Sequence, residues 1–289
     1  MKYREFAKVL ECVRIGNDIF SLKLAAEQIA SAAKPGQFVS VYANDSARLL
    51  PRPISVCEAD VRSGILRLVF RIAGAGTREF SRLEEGERVM LVGPLGNGFP
   101  LERAEAKRVF LIGGGIGIPP MLELAKRLTS ADGEGTGSFS MLELAKRLRV
   151  CDGEGDAEDQ AERAVDVKAV LGYRDERFLL EDFPCETVVA TEDGSFGTRG
   201  TVLDAIRAHG LTADVIYACG PIPMLRALKQ YALESGTECW LSMEEKMACG
   251  IGACLSCVCR SAEIDEHSQV KNKRVCTEGP VFLSTEIEL

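Results

Sequence analysis

Val109-Phe110-Leu111-Ile112-Gly113-Gly114-Gly115-Ile116-Gly117-Ile118-Pro119-Pro120-Met121 is the stretch on which the fold of this chain turns. A short apolar run enters a glycine turn, and two prolines then stand where a helix starts, a slot that tolerates a fixed φ and a missing N–H. Strand, turn and helix N-terminus in that order let a dinucleotide pyrophosphate approach free N–H groups and a helix dipole. Gly113, Gly114, Gly115, Gly117 and Pro119 are the candidate contacts. The spacing departs from Gly-x-Gly-x-x-Gly, and a tight βα turn without a ligand is the alternative reading.

The same rhythm continues downstream. Arg108–Ile112 precedes a helical pattern at Met121–Leu128, Val167–Gly172 follows, Thr187–Ala190 precedes Val202–Ala208, and Asp214–Ala218 precedes Met224–Leu233. Strands alternating with amphipathic helices predict a parallel, Rossmann-like sheet built from βαβ units. Cys219, Gly220 and Pro221 then fall at the carboxyl end of a strand, where such sheets bind ligands. Glu192-Asp193-Gly194-Ser195 falls on the same edge and reads equally as a solvated turn.

Upstream, Ile19–Leu24, Gln37–Tyr42, Ile65–Ile72 and Arg88–Val92 are separated by Gly16-Asn17-Asp18, Pro35-Gly36, Arg62-Ser63-Gly64 and Glu85-Gly86. Short strands between turn signals predict an antiparallel barrel or sandwich. Within it, Arg52-Pro53-Ile54-Ser55 and Gly74-Ala75-Gly76-Thr77 together offer a guanidinium, a hydroxyl and Gly-Thr N–H groups to a flavin diphosphate. Either one alone reads as an ordinary turn.

The third region is marked by cysteine. Of eleven in the chain, Cys249, Cys254, Cys257, Cys259 and Cys276 crowd near the C-terminus. The order Cys249-x4-Cys254-x2-Cys257, with Cys276 after a gap, is the plant-type 2Fe-2S ligand spacing. The glycines of Gly250-Ile251-Gly252-Ala253 let backbone N–H groups reach the sulfurs. A structural zinc site more often shows two separated Cys-x2-Cys pairs. Cys259 reads as a buried thiol, and Cys12, Cys57, Cys151 and Cys185 fit no pattern. These features divide the chain into residues 1–100, 101–236 and 237–289.

One feature breaks the middle region: Met121–Leu128 (MLELAKRL) recurs verbatim at Met141–Leu148, and Asp132–Gly135 (DGEG) recurs at Asp152–Gly155. Two copies are too few for a solenoid, so a tandem duplication inside a surface insertion at about 129–164 is expected.

Composition narrows the classes further. With 46% hydrophobic and 27% charged residues, the 289-residue chain has the profile of a globular protein of more than one domain. No apolar run approaches the roughly 20 residues of a spanning helix, so a cytoplasmic protein is expected. A net charge of -8 opposes nucleic-acid binding.

Arg-Pro-x-Ser, Gly-Thr, Gly-Gly-x-Gly-x-x-Pro and Cys-Gly-Pro, in this order, resemble the ferredoxin-reductase family. Met247-Ala248-Cys249-Gly250-Ile251-Gly252-Ala253-Cys254, Cys257 and Val275-Cys276-Thr277-Glu278-Gly279-Pro280-Val281-Phe282 are similar to the electron-transfer subunits of dihydroorotate dehydrogenase B. The resemblance implies FAD contacts at Arg52, Pro53, Ile54, Ser55, Val69, Phe70, Arg71, Gly76 and Thr77, and cluster ligands at Cys249, Cys254, Cys257 and Cys276. It further implies NAD(H) as the nicotinamide, and an FMN-containing catalytic subunit as partner in a heterotetramer of two copies of each. Rival readings are the flavin subunit of an NADPH-linked ferredoxin or sulfide oxidoreductase and a non-enzymatic redox sensor. A basic 2′-phosphate pocket would mark the former; Arg174 and Arg177 flank Asp175 and Glu176, which favours NAD.

Overall fold

Strand β5 (Ile65–Arg71) shows how the first region folds: Leu66, Leu68 and Phe70 are buried, alternating with the more exposed Ile65, Arg67 and Arg71. That period of two places one face on a core. The structure is a computed structural model that describes residues 1–105, 107–130, 165–174, 176–264 and 269–289. In it, β1 (Tyr3–Arg14), β2 (Ile19–Ala25), β3 (Phe38–Tyr42), β4 (Arg52–Asp60), β5 and β6 (Arg88–Leu95) close into a barrel in the order β1-β2-β5-β4-β3-β6. All its paired strands are antiparallel. Two short helices, α1 (Glu27–Ala32) and α2 (Ala75–Phe80), sit in its connections.

Of the two expected architectures, the barrel is the one formed. It contains a strand that periodicity does not reveal, because Arg52–Ser55 opens β4. Pro53 carries no N–H for the ladder, and the register shifts between Val56 and Glu58, so alternation is broken where it would be read.

The parallel sheet is built from β7 (Arg108–Gly114), β8 (Asp166–Tyr173), β9 (Glu186–Thr191), β10 (Thr198–Arg199), β11 (Val215–Cys219) and β12 (Glu238–Ser242). After a small pair, β13 (Val258–Cys259) and β14 (Lys273–Arg274), the chain returns as β15 (Val281–Leu283). The order is β10-β9-β8-β7-β11-β12-β15, with β15 antiparallel on β12. Thus β12 and β15, both beyond residue 236, belong to this sheet. Every residue of β11, and all of β7 except Arg108, is buried. These central strands are covered on both faces, which is why they read as continuous apolar runs. Helices α3 (Ile118–Thr129), α4 (Val202–Ala208) and α5 (Ile222–Ser235) follow β7, β10 and β11.

The first copy of the duplicated motif lies within α3; the second copy, Met141–Leu148, the following acidic stretch and Cys151 lie outside the described residues. Among the described residues, no helix is long and apolar enough to cross a membrane.

Charged side chains lock the barrel onto α3. Glu58 on β4 pairs with Arg67 on β5 and with Lys126 on α3, and Arg67 also reaches Asp182 at 2.8 Å. Glu123 of α3, 3% exposed, accepts from the Ala59 N–H at 3.0 Å and from Arg127 Nε at 2.9 Å. A buried carboxylate needs both partners, since losing one strands a desolvated charge. Burial raises the Glu123 pKa despite Arg127 and the Ala59 N–H.

Candidate cofactor sites

The two candidate flavin elements meet in space. A Cβ placed on Gly76 would stand 2.8 Å from Arg52 Nε and 3.1 Å from its Cζ, so the guanidinium lies directly against the glycine backbone. Arg52 is steadied by donating from Nη1 to the Leu50 carbonyl at 2.6 Å. Thr77 Oγ1 accepts from the N–H groups of Ala73 and Gly74 at 2.9 and 3.2 Å, which shapes the loop entering α2. Val69 and Phe70 are buried in β5, leaving Arg71 as its exposed end. A fixed guanidinium beside an approachable glycine turn suits a diphosphate; the donor set present fits FAD.

At the carboxyl edge of the sheet, a cavity of about 460 Å3 is lined by Gly114, Gly115, Gly172, Tyr173, Arg174 and Glu192, among others, and by Ile19 and Arg71 of the barrel. Gly115 has φ of +53° and open space where a side chain would go. Gly117 works differently: a Cβ there would stand 2.3 Å from the Cys219 carbonyl oxygen, so it lets two βα turns touch. Likewise a Cβ on Gly113 would meet Ile118, and one on Gly220 would meet Met224 and Gly114. Of the residues read from sequence, Gly114, Gly115 and Pro221 line the cavity, whereas Gly113, Gly117, Pro119 and Cys219 are buried in the packing beneath it. Pro119 and Pro120 lie in the first turn of α3 and have no N–H to offer.

Periodicity gave no hint of Tyr173, Phe178 or Thr201, which also line the cavity, as does Met224 from the predicted helix after β11. Their one signal is position, at or just after predicted strand ends. The Tyr173 hydroxyl donates to the Phe178 carbonyl at 2.8 Å, holding the ring pair edge to face. Arg174 faces the cavity, Glu176 accepts from the Asn17 N–H at 2.7 Å, and the Arg177 guanidinium stacks over the Phe196 ring at 4.1 Å. Asp175 lies outside the described residues.

Four cysteines of the third region form two pairs. The Cys249 side chain is hydrogen-bonded to that of Cys254, and Cys276 to that of Cys257. Gly250 and Gly252, at φ of +68° and +88°, turn the loop so that the N–H groups of Ile251 and Ala253 point at Cys249 Sγ, 3.5 and 3.3 Å away. Burial raises the Cys249 thiol, but the Ile251 N–H, Cys254 and the Ala253 N–H outweigh it and bring it down to about 6. Burial, then Cys257, pushes Cys276 up to about 11. Among the described residues, no three His, Cys, Asp or Glu side chains converge as one ion requires. Paired thiols fit two irons with two sulfurs each better than a tetrahedral zinc. Cys259 is buried in β13, as read from sequence.

This module is fastened to the barrel. Asn97 donates to the carbonyls of Glu278 and Val281 at 3.0 and 2.7 Å and accepts from the Val281 N–H at 2.9 Å. A Cβ on Gly250 would stand 2.8 Å from Ser40 Oγ of β3, and Ser40 pairs with Pro53 of β4.

Comparison with known proteins matches these arrangements to named relatives. Residues 244–288 match the iron-sulfur cluster binding domain of dihydroorotate dehydrogenase B. The chain is 38% identical over 292 residues to the dihydroorotate dehydrogenase B (NAD(+)) electron transfer subunit of Geobacillus thermodenitrificans, covering 99% of both chains. It belongs to the dihydroorotate dehydrogenase B electron transfer subunit family. The Bacillus caldolyticus member is 40% identical over 281 residues, 95% of each chain. An NADH-dependent reduced ferredoxin-NADP oxidoreductase structure shares the fold, with a TM-score of 0.73 at 24% identity over 98% of this chain and 90% of that one. Membership makes the chain an oxidoreductase electron transfer subunit.

Proposed function

We propose that the chain carries electrons from the FMN of a separate dihydroorotate-oxidising subunit, through a 2Fe-2S cluster and FAD, to NAD+ in the cytoplasm, within a heterotetramer of two copies of each subunit. The observation that carries this reading is the order of neighbouring strands. Ile19 of β2 and Arg71 of β5 line the nicotinamide cavity, β4 brings Arg52–Ser55, and β3 brings Ser40 against the cluster loop at Gly250. From β5 to β3 is two strand spacings, roughly 10 Å, so the three sites lie along one short path.

When bound, FAD exchanges a hydride with the nicotinamide and single electrons with the cluster. The chain's own part is to hold and orient. Arg52 and the Gly76-Thr77 turn would hold the flavin diphosphate, Gly114 and Gly115 would admit the nicotinamide pyrophosphate, and Cys249, Cys254, Cys257 and Cys276 would hold the irons. Glu192, just after β9, faces the same cavity as Arg174. A carboxylate there favours a ribose diol over a 2′-phosphate, which supports NAD over NADP.

The test is anaerobic titration of the reconstituted chain with NADH and, separately, NADPH, after assay of iron, sulfide and flavin. One FAD with two irons and two sulfides per chain, reduced by NADH well below the NADPH concentration needed, is the expected result. Zinc in place of iron, or a chain without flavin, sinks the reading.

The partner's side is supported by Ile251, Leu255, Val258, Ile264 and Val270, which are 36–61% exposed around the cluster module. Leu255 is held at φ of +56°, a region a leucine rarely enters. Leu255→Glu is expected to keep iron and flavin yet weaken binding of the catalytic subunit about a hundredfold, near 3 kcal/mol. Titration calorimetry with that subunit reads it; unchanged affinity removes Leu255 from the interface.

A further inference from the structure

Among the described residues, three side-chain polar atoms are buried without a hydrogen-bond partner: Arg48 Nη1, Glu79 Oε2 and Thr277 Oγ1. The first two belong to one ion pair, with Glu79 Oε2 3.4 Å from Arg48 Nε. Thr277 has no such companion. A buried hydroxyl pays its full desolvation unless something accepts or donates to it, and folded proteins rarely leave one so.

Its surroundings indicate what the partner is. Thr277 directly follows Cys276, and its backbone is fixed by donation from its N–H to the Arg274 carbonyl at 3.2 Å. The side chain stands against Gly252 of the ligand loop: a Cβ on that glycine would lie 2.7 Å from Thr277 Cγ2 and 3.4 Å from Oγ1. The Gly252 N–H is itself hydrogen-bonded to the Cys276 thiol. Hydroxyl, glycine and Cys276 therefore share one corner of the cysteine cluster, yet no cysteine sulfur accepts from the hydroxyl, which leaves its rotor free to donate to an inorganic sulfur held there.

Resting on the cluster reading above, we propose that Thr277 donates a hydrogen bond to an inorganic sulfur of the cluster and thereby raises its reduction potential. Reduction adds negative charge that the cluster sulfurs share. A donor to those sulfurs stabilises the reduced state more than the oxidised one. Thr277 is thus a tuning residue that acts through the sulfur and takes no part in holding iron.

The experiment is a redox titration of the cluster, followed by the electron paramagnetic resonance of its reduced form, in the full chain and in Thr277→Val and Thr277→Ser. Valine matches the shape of threonine and removes the donor; serine keeps it. Thr277→Val, loaded with the wild-type amount of iron and sulfide, is expected to move the potential downward. At a fixed ambient potential the ratio of reduced to oxidised cluster falls roughly three- to tenfold, where tenfold is about 59 mV for one electron. Thr277→Ser stays near wild type.

A fully loaded Thr277→Val with the wild-type potential overturns the proposal and assigns the hydroxyl to a bound water. A Thr277→Ser shifted as far as the valine variant overturns it too, since packing is then the cause. Should the valine variant fail to assemble, Thr277→Ala replaces it under the same comparison with serine: a shift in alanine alone supports the proposal, and equal potentials overturn it. Absence of any 2Fe-2S signal in the wild type is a failure of the cluster reading instead.

Discussion

Cys249→Ser is expected to cut the iron content of the chain to a small fraction of wild type and to lower dihydroorotate-dependent NAD+ reduction by the assembled complex at least about a hundredfold. NADH-dependent reduction of an artificial dye by the isolated chain should change by no more than about twofold. The two activities separate because of where Cys249 sits. It pairs with Cys254 in the third region and receives the Ile251 and Ala253 N–H groups, while the cavity at the carboxyl edge of the sheet lies at the other end of the strand path. Serine keeps the volume but replaces a thiol already lowered to about 6 with a hydroxyl that ionises far less readily. Iron assay and the two turnover assays decide it. Equal loss of both activities would mean that the cluster module also supports the flavin site.

The second large effect is expected at Gly117. A methyl group there would stand 2.3 Å from the Cys219 carbonyl oxygen, 2.4 Å from its carbonyl carbon and 2.6 Å from the Gly220 nitrogen. All three are backbone atoms of the turn between β11 and α5, with no flexible side chain to give way. Gly117→Ala should therefore push the two βα turns apart and cost about 3 kcal/mol, at the upper end for overpacking, read as a fall in Tm by thermal denaturation. Gly115→Ala is the contrast. Open space lies beyond it, so its cost is the left-handed backbone, about 1–2 kcal/mol. Its larger effect is expected on KM for NADH, because the added methyl would enter the cavity itself. A Gly117→Ala protein with wild-type Tm would show that the two turns can separate to admit a methyl group at no cost.

These two glycines lie two residues apart in one motif, and the sequence presents them as equals. Gly115 meets the cavity and Gly117 meets another turn, a distinction created when β11 is laid beside β7 with Cys219 opposite Gly113. Arg52 and Gly76 make the same point in the barrel. Twenty-four positions separate them, yet the guanidinium rests on the glycine because β4 and β5 are neighbours and α2 follows β5. Pro53 hid β4 by removing a ladder donor, and the irregularity between Val56 and Glu58 concealed the rest.

What the sequence by itself determined is local: the period-two segments of the barrel, the strand-glycine-helix turn at Val109–Met121, and the cysteine spacing at Cys249–Cys276. Each depends on near neighbours in the chain, where a strand's alternation, a helix start or a metal's ligand geometry imposes its own pattern. Tertiary structure alone decided which glycines line the cavity, how the cysteines pair, that β12 and β15 complete the second sheet, and that Ser40 joins the cysteine loop to the strand of Arg52. Those relations arise between segments distant in the chain, when buried apolar faces choose their neighbours, and no local pattern encodes the choice.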